Sequence, residues 1–358
     1  MGVRIEPFDP KTASREAWAR YHVFRRVRHA EEDPEDPLNS DAQEEALMKR
    51  DDPEGDDLIR VAVDPATGAY VGVLWFSHFF EASPSYATNG HIAWTGVGVI
   101  LPHRRRGVGT ALLRLLPDLA RAYKVTQLFG WAQEEDGKAF LRAVGADIGS
   151  YRRENRLDLG LVDWPMVERW AREGAARSPD TILRWFRNRI DDDVIVPYAK
   201  VYTEVGNQQP RDRLELGDFI ITPDLLREKA DRLASFGATW LTVASVEGDG
   251  GISGFTEVVY NPEDDYLIGQ GLTGVHEADR GRGLGKWLKA AMLLRVRDEF
   301  PQVRVVSTWN GTTNAAMLKI NDALGFREHR VAEMPQMKVD ALEAYLARAR
   351  VSEESRAP

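Results

Sequence analysis

Two short runs carry the residue types best suited to chemistry. Residues 99–109 read VILPHRRRGVG, and residues 275–285 read VHEADRGRGLG. Superposed on their arginines, Arg104 falls on Arg280, Gly107 on Gly283, Gly109 on Gly285 and Val99 on Val275, all at one displacement. Glycines let the backbone approach a ligand closely, and N–H groups at a helix start form an anion site strengthened by the helix dipole. A diphosphate is the natural occupant, with the arginine adding a charge-assisted bond. Spacing excludes two rival phosphate motifs. A P-loop needs Gly-x-x-x-x-Gly-Lys-Ser/Thr, whereas Gly285-Lys286 is followed by Trp287 and Arg280 stands at the first glycine position. The dinucleotide fingerprint needs Gly-x-Gly-x-x-Gly; Gly281, Gly283 and Gly285 are spaced wrongly, and Gly107-Val108-Gly109 has no third glycine. One such turn is equally a plain strand-to-helix connection, but two copies in one context argue for a ligand.

The elements that must position these turns also repeat. A β-rich stretch precedes each turn, HIAWTGVGVI at 91–100 and DYLIGQGLTGV at 265–275. A helical face follows: Leu112, Leu115, Leu116, Leu119 and Tyr123 in the first copy, and Leu284, Trp287, Leu288, Ala291 and Leu294 in the second. Then come a short strand (TQLFGW, 126–131; VRVVSTW, 303–309) and a helix ending at a glycine (138–146; 315–326). Opening strands are read at 3–9, 57–64 and 69–80, and at 239–247 and 252–260, with turns at 64–68 and 247–251. Amphipathic helices fit 15–30, 41–50 and 223–236. Pro117 interrupts the helix after the first turn, at a cost of about 3 kcal/mol in a regular interior.

These residues resemble motif A of the GNAT acetyltransferase superfamily, Arg/Gln-x-x-Gly-x-Gly/Ala after a fourth strand. The tandem layout resembles the two-domain, mycothiol synthase-like members. The resemblance implies an α/β (α+β) fold of two tandem GNAT-like domains, each a mixed, mostly antiparallel central sheet flanked by helices. Its boundaries are an N-terminal domain at 1–160, a linker with the first elements of the second domain at 161–215, a C-terminal domain at 216–340 and a helical tail at 341–358. It further implies that the cofactor acetyl-CoA enters where the fourth and fifth strands splay. The pantetheine arm would then lie along Thr273 and Val275, or Val97 and Val99. The diphosphate would lie on Arg280, Gly281, Arg282, Gly283, Leu284, Gly285 and Lys286, or on Arg104, Arg105, Arg106, Gly107, Val108, Gly109 and Thr110. Asn314 stands at a position that commonly contacts the cofactor. Two departures follow. The family's tyrosine acid is replaced by Asn321, and by Leu141 in the first copy. No glutamate lies on either fourth strand. With Asn314 and an uninterrupted helix, the C-terminal copy is the better candidate for catalysis, and the N-terminal copy either binds cofactor or only supports the fold.

Acetyl transfer to an amine needs a proton acceptor for the amine, a polarised carbonyl and a route to protonate the thiolate. Glu257 in GFTEVVY is the candidate base, because alternation puts it on an otherwise apolar face with Phe255 and Val259. His276, directly after the fourth strand, is a second candidate for catalysis, and Tyr260 is a candidate acid. The expected activity is an acetyl-CoA-dependent N-acetyltransferase acting on a small amine by direct transfer in a ternary complex. The rival is a non-catalytic acyl-CoA-binding or regulatory protein.

Composition bounds the rest. The 358 residues, 43% apolar with 10 Trp, suffice for two cores. A net charge of −9 argues against a nucleic-acid partner. The absence of cysteine removes disulfides and thiolate metal sites, and the seven histidines show no metal spacing. No apolar run approaches a membrane span and the N-terminus lacks a signal core, so a cytoplasmic location is expected. The sequence is silent on oligomeric state.

Overall fold

In the computed structural model, which describes residues 2–354, the chain runs through one succession of elements twice. The first pass begins with β1 (Arg4–Phe8), α1 (Arg15–Glu32) and α2 (Asp41–Met48). Ser14 and Ser40 start the two helices, each accepting a backbone N–H from three residues on. β2 (Gly55–Val63) and β3 (Tyr70–Phe79) pair across the 64–68 turn, where Gly68 is left-handed at φ 72°. After α3 (Tyr86–Asn89) come β4 (Ile92–Val99), α4 (Val108–Leu113), α5 (Leu116–Ala122), β5 (Gln127–Phe129), α6 (Glu135–Val144) and β6 (Asp147–Asp158). The break between α4 and α5 is the effect of Pro117, which has no N–H for the Leu113 carbonyl.

The second pass comprises α7 (Trp164–Arg177), β7 (Ile182–Arg187), α8 (Ile195–Asn207), α9 (Pro223–Ser235), β8 (Thr239–Val246), β9 (Ile252–Tyr260) and β10 (Leu267–Val275). It closes with α10 (Leu284–Glu299), β11 (Val305–Gly311), α11 (Ala315–Leu324), β12 (Arg327–Lys338) and α12 (Val339–Glu354). Residues 161–215, hard to read in sequence, thus hold α7, β7 and α8. Positions 355–358 of the expected tail lie outside the described residues.

Two compact units form, and they divide the chain differently from boundaries at 160, 215 and 340. Unit 1 takes in residues up to Tyr151, Arg213–Asp218 and residues from Ala332 on; unit 2 takes in Arg152–Asp212 and Phe219–Val331. Each unit therefore closes its sheet with a strand from the other repeat. In unit 1 the order is β1-β2-β3-β4-β5, and then β12 through the antiparallel register Gln336↔Phe129 to Lys338↔Gln127. In unit 2 it is β7-β8-β9-β10-β11, and then β6 through Arg156↔Ser307 and its neighbours. Among the described residues, the pairings within each unit are antiparallel except β4–β5 and β10–β11, so each sheet is mixed and mostly antiparallel, as expected.

Both faces of each sheet are covered. In unit 1, Leu112, Leu116 and Leu342 pack on Leu74, Phe76 and Leu128. On the opposite face Trp18, Tyr21 and Phe24 pack on Val61 and Val73. In unit 2, Leu288, Val296 and Leu324 cover Val243, Val258 and Val306, while Tyr198 and Leu226 cover Trp240 and Phe255. Each such side chain removed from water contributes roughly 1.5–3 kcal/mol before entropy is counted.

Candidate active site

In unit 1, β4 and β5 stay paired only from Ile92↔Gln127 to Trp94↔Phe129. Beyond that they part, because Gly130 and Ala132 bond instead to Pro335 and Glu333 of β12. A cleft of about 410 Å³ opens beside the parting, lined by Val97, Gly98 and Val99 of β4, Arg104, Arg105, Gly107, Gly109 and Thr110 of the loop, Trp131, Phe140 of α6 and Tyr345 of α12. A smaller chamber of about 110 Å³ lies at the parting itself, lined by Thr95–Val97, Phe129–Ala132, Leu113 and Leu141. The two spaces share Val97, Trp131, Ala132 and Phe140. Sequence reasoning found the loop and Val97 and Val99 but missed Arg28, Trp131, Phe140 and Tyr345. No spacing rule links those residues to the loop, and Tyr345 reaches it only because β12 and α12 belong to unit 1.

The loop has the backbone a diphosphate site requires. Gly107 is left-handed at φ 80° and begins α4, and a Cβ built there meets nothing within 4 Å. Arg105 is also left-handed, at φ 60°, a conformation that costs a side-chain-bearing residue about 1 kcal/mol. Arg104, expected to grip phosphate, is engaged within the protein. Its Nε donates to the Val99 carbonyl at 2.8 Å, and its other nitrogens face Asp136 at 3.1 Å, Glu32 at 3.5 Å and Glu31 at 3.8 Å. Burial raises the pKa of Glu32 despite its arginine neighbours. The Arg28 guanidinium lies over Gly98, 1.4 Å from where a Cβ would stand, so any larger residue there would displace that side chain.

In unit 2 the parallel pairing of β10 with β11 likewise stops, at Gly269↔Ser307. The β9–β10 register also shifts between Gln270 and Thr273, whereas the β3–β4 register of unit 1 runs unbroken from Gly72↔Val99 to His78↔Ala93. Gly281 and Gly283 are both left-handed at φ 83°. Arg280 bonds Gln208, and Arg282 is held by Glu247 at 3.0 Å, Asp279 at 3.0 Å and Thr181 at 2.6 Å. The Lys286 ammonium sits 4.8 Å over the Trp170 ring. Asn314 caps α11, its Oδ1 accepting the Met317 N–H at 3.4 Å.

The three side chains expected to catalyse are not brought together. Glu257 is 3% exposed and its carboxylate is filled. Oε1 accepts from Lys229 Nζ at 2.8 Å, Tyr202 Oη at 2.9 Å and the Leu272 amide at 3.3 Å; Oε2 accepts from Lys229 at 2.7 Å and Trp240 Nε1 at 2.8 Å. The burial that surrounds Tyr202, with the adjacent carboxylate, pushes its phenol well above its ordinary value, so it stays a donor to Glu257. A carboxylate so occupied orders the bulge of β10 rather than presenting a free lone pair. Tyr260 lies on the opposite face, its ring 4.7 Å from that of Phe300 and its hydroxyl bonded to Gln302. His276 stands between Glu204 at 3.2 Å and Asp279 at 3.3 Å at the loop entrance.

The comparisons with known proteins agree with this geometry. A model of the acetyltransferase (GNAT) family matches residues 19–145. The fold is similar to that of a tandem GNAT protein from the clavulanic acid biosynthesis pathway, at TM-score 0.73 and 21% identity over 94% of this chain and 98% of that one. It is similar too to a GCN5-related N-acetyltransferase from Sphaerobacter thermophilus, at TM-score 0.61 and 13% identity over 94% and 96%. No curated protein matches the chain in sequence. Among the described residues no helix is long and apolar enough to cross a membrane. The chain therefore has a tandem GNAT fold, and its residues 19–145 match the model of the acetyltransferase (GNAT) family.

Proposed function

We propose that the protein is an acetyl-CoA-dependent N-acetyltransferase acting on a small amine by direct transfer in a ternary complex, with the acyl donor in the unit 1 cleft. One observation supports this above the rest: the cleft joins the start of α4 to the place where β4 leaves β5. This moves the principal donor site to the N-terminal copy, which sequence reasoning ranked second. The residues fit acyl-CoA, since Gly107 leaves open space at the helix start and Trp131, Phe140 and Tyr345 line the cleft beside it.

When bound, acyl-CoA supplies an activated acyl group. The chain's own part is binding and orientation. The backbone amides of 107–110 hold negative charge at the helix start, and Arg105, with its left-handed backbone, brings a guanidinium to the cleft. Trp131, Phe140 and Tyr345 exclude water along the cleft. Main-chain N–H groups of β4 beyond Trp94, released from β5, are the donors for a carbonyl oxygen. The apolar chamber at Leu113 and Leu141 favours a second reading, binding without catalysis, because it offers no acid or base. Thiol release from acetyl-CoA with a panel of small amines separates the two. Turnover with an amine supports transfer, and saturable acetyl-CoA binding without turnover on any amine supports the binding protein.

A further inference from the structure

Lys289 on α10 has no part in that scheme, yet it is 1% exposed. Its Nζ donates to Asn321 Oδ1 at 2.7 Å and lies 5.0 Å over the Phe326 ring. Burial alone pushes its pKa down, to about 7, and no charged group offsets the effect. Asn321 in turn donates from Nδ2 to Asn310 Oδ1 at 2.9 Å, which also accepts from Asn155 at 3.5 Å. Donation from Lys289 thus fixes which way the Asn321 amide points.

The repeat says where this pair stands. Counted from the loop glycines Gly107 and Gly283, Lys289 occupies the place of Leu113. Counted from the helix-ending Gly145 and Gly325, Asn321 occupies the place of Leu141. Both leucines line the chamber where β4 and β5 part. Unit 2 has the same parting, beyond Gly269↔Ser307, and the same left-handed loop. A buried amine therefore marks the inner end of the second splay, where the first repeat has only hydrocarbon.

We propose that unit 2 is a second acyl-transfer site in which the Lys289 ammonium, oriented with Asn321, protonates the departing thiolate. The proposal rests on the acyl-thioester reading given above for unit 1. In the step, the acceptor nitrogen forms the C–N bond and the C–S bond breaks with its electron pair going to sulfur. A Lys289 proton passes to that sulfur to give the free thiol. The proton lost by the acceptor nitrogen goes to solvent, and Lys289 regains one from solvent.

The test begins with Gly109→Trp, which fills the unit 1 cleft beside Phe140. This variant should still bind one CoA per chain by calorimetry and still release thiol from acetyl-CoA with an amine. Residual kcat should fall as pH rises through the loss of the Lys289 proton. Adding Lys289→Met should lower it at least about tenfold with CoA affinity kept, and Asn321→Tyr should restore part of the loss. Independently of turnover, the thiol of CoA bound to Gly109→Trp, followed by ultraviolet absorbance, should ionise at lower pH with Lys289 than after Lys289→Met. A Gly109→Trp variant that binds no CoA, or residual kcat and thiol ionisation indifferent to Lys289→Met, overturns the second site and leaves the unit 1 reading standing. Failure of the unaltered chain to bind CoA overturns both.

Discussion

Units 1 and 2 are one frame equipped in two ways. The left-handed position two residues before the glycine that starts the helix, Gly107 or Gly283, is Arg105 in unit 1 and Gly281 in unit 2. The inner end of the splay is Leu113 with Leu141 in one and Lys289 with Asn321 in the other. Counted from Gly72 and Gly254, which lie opposite Val99 and Val275, Trp75 takes the place of Glu257. Unit 1 has an open cleft with charged groups along its loop and an uncharged chamber where β4 and β5 part. Unit 2 has a bulged fourth strand and a set of buried polar contacts. The frame needs only its glycines and its apolar faces, so the groups at the two splays can differ without altering it.

Changes at matched positions sharpen or break that comparison. The largest effect is expected from Gly109→Trp, which should cut acetyl-CoA affinity of the unit 1 site more than about 100-fold, or about 3 kcal/mol. Calorimetry would resolve it as the loss of one binding event, and an unchanged isotherm would remove unit 1 from the account. Next is Glu257→Leu. It leaves the Lys229 ammonium without its carboxylate and should cost about 3 kcal/mol in urea unfolding, with Glu257→Leu/Lys229→Leu recovering most of it. If Glu257→Gln instead lowered turnover at unchanged stability, Glu257 would be the base that its place on an apolar face first suggested.

Lys289→Met should act in the opposite direction, stabilising the chain by about 2 kcal/mol at neutral pH. Here the sign matters. The folded pKa is depressed to about 7 from 10.5, so between those values the unfolded chain holds a proton that the folded chain lacks. Stability should therefore climb as pH rises from about 7 to 10.5, and Lys289→Met should remove the slope. Thermal melts across that range would show it, and a slope that persisted in the variant would assign it elsewhere. The smallest effect is at Arg105→Gly, which should gain about 1 kcal/mol by relieving the left-handed arginine while weakening acetyl-CoA binding. A gain in both would mean that the guanidinium does not reach the ligand.

Much of the frame is legible in the residues. Alternation and glycine spacing give nine of the twelve strands among the described residues to within a few residues of their ends, and Pro117 announces the break between α4 and α5. The exchange of β6 and β12 is not legible, because each strand follows its own repeat in sequence and only tertiary pairing sends it to the other unit. The same holds for Glu257. Its burial follows from strand alternation, but its partners Lys229 and Tyr202 come from α9 and α8, far off in the chain. Lys289 did leave a trace, a lysine between Leu288 and Ala290 on the helix whose apolar face was already identified. Helical periodicity tolerates a lysine at the edge of an apolar stripe, so the residue type alone does not separate a buried amine from a solvated one.

The central claim is that main-chain amides beside Gly107 hold a diphosphate while the acyl arm runs along Val97–Val99 in unit 1. Crystals of the unaltered chain grown with acetyl-CoA test it most directly. Electron density for the diphosphate against residues 105–110, with the thioester at the parting of β4 and β5, is the predicted result. Density for acetyl-CoA in unit 2 beside an empty unit 1 cleft would contradict it.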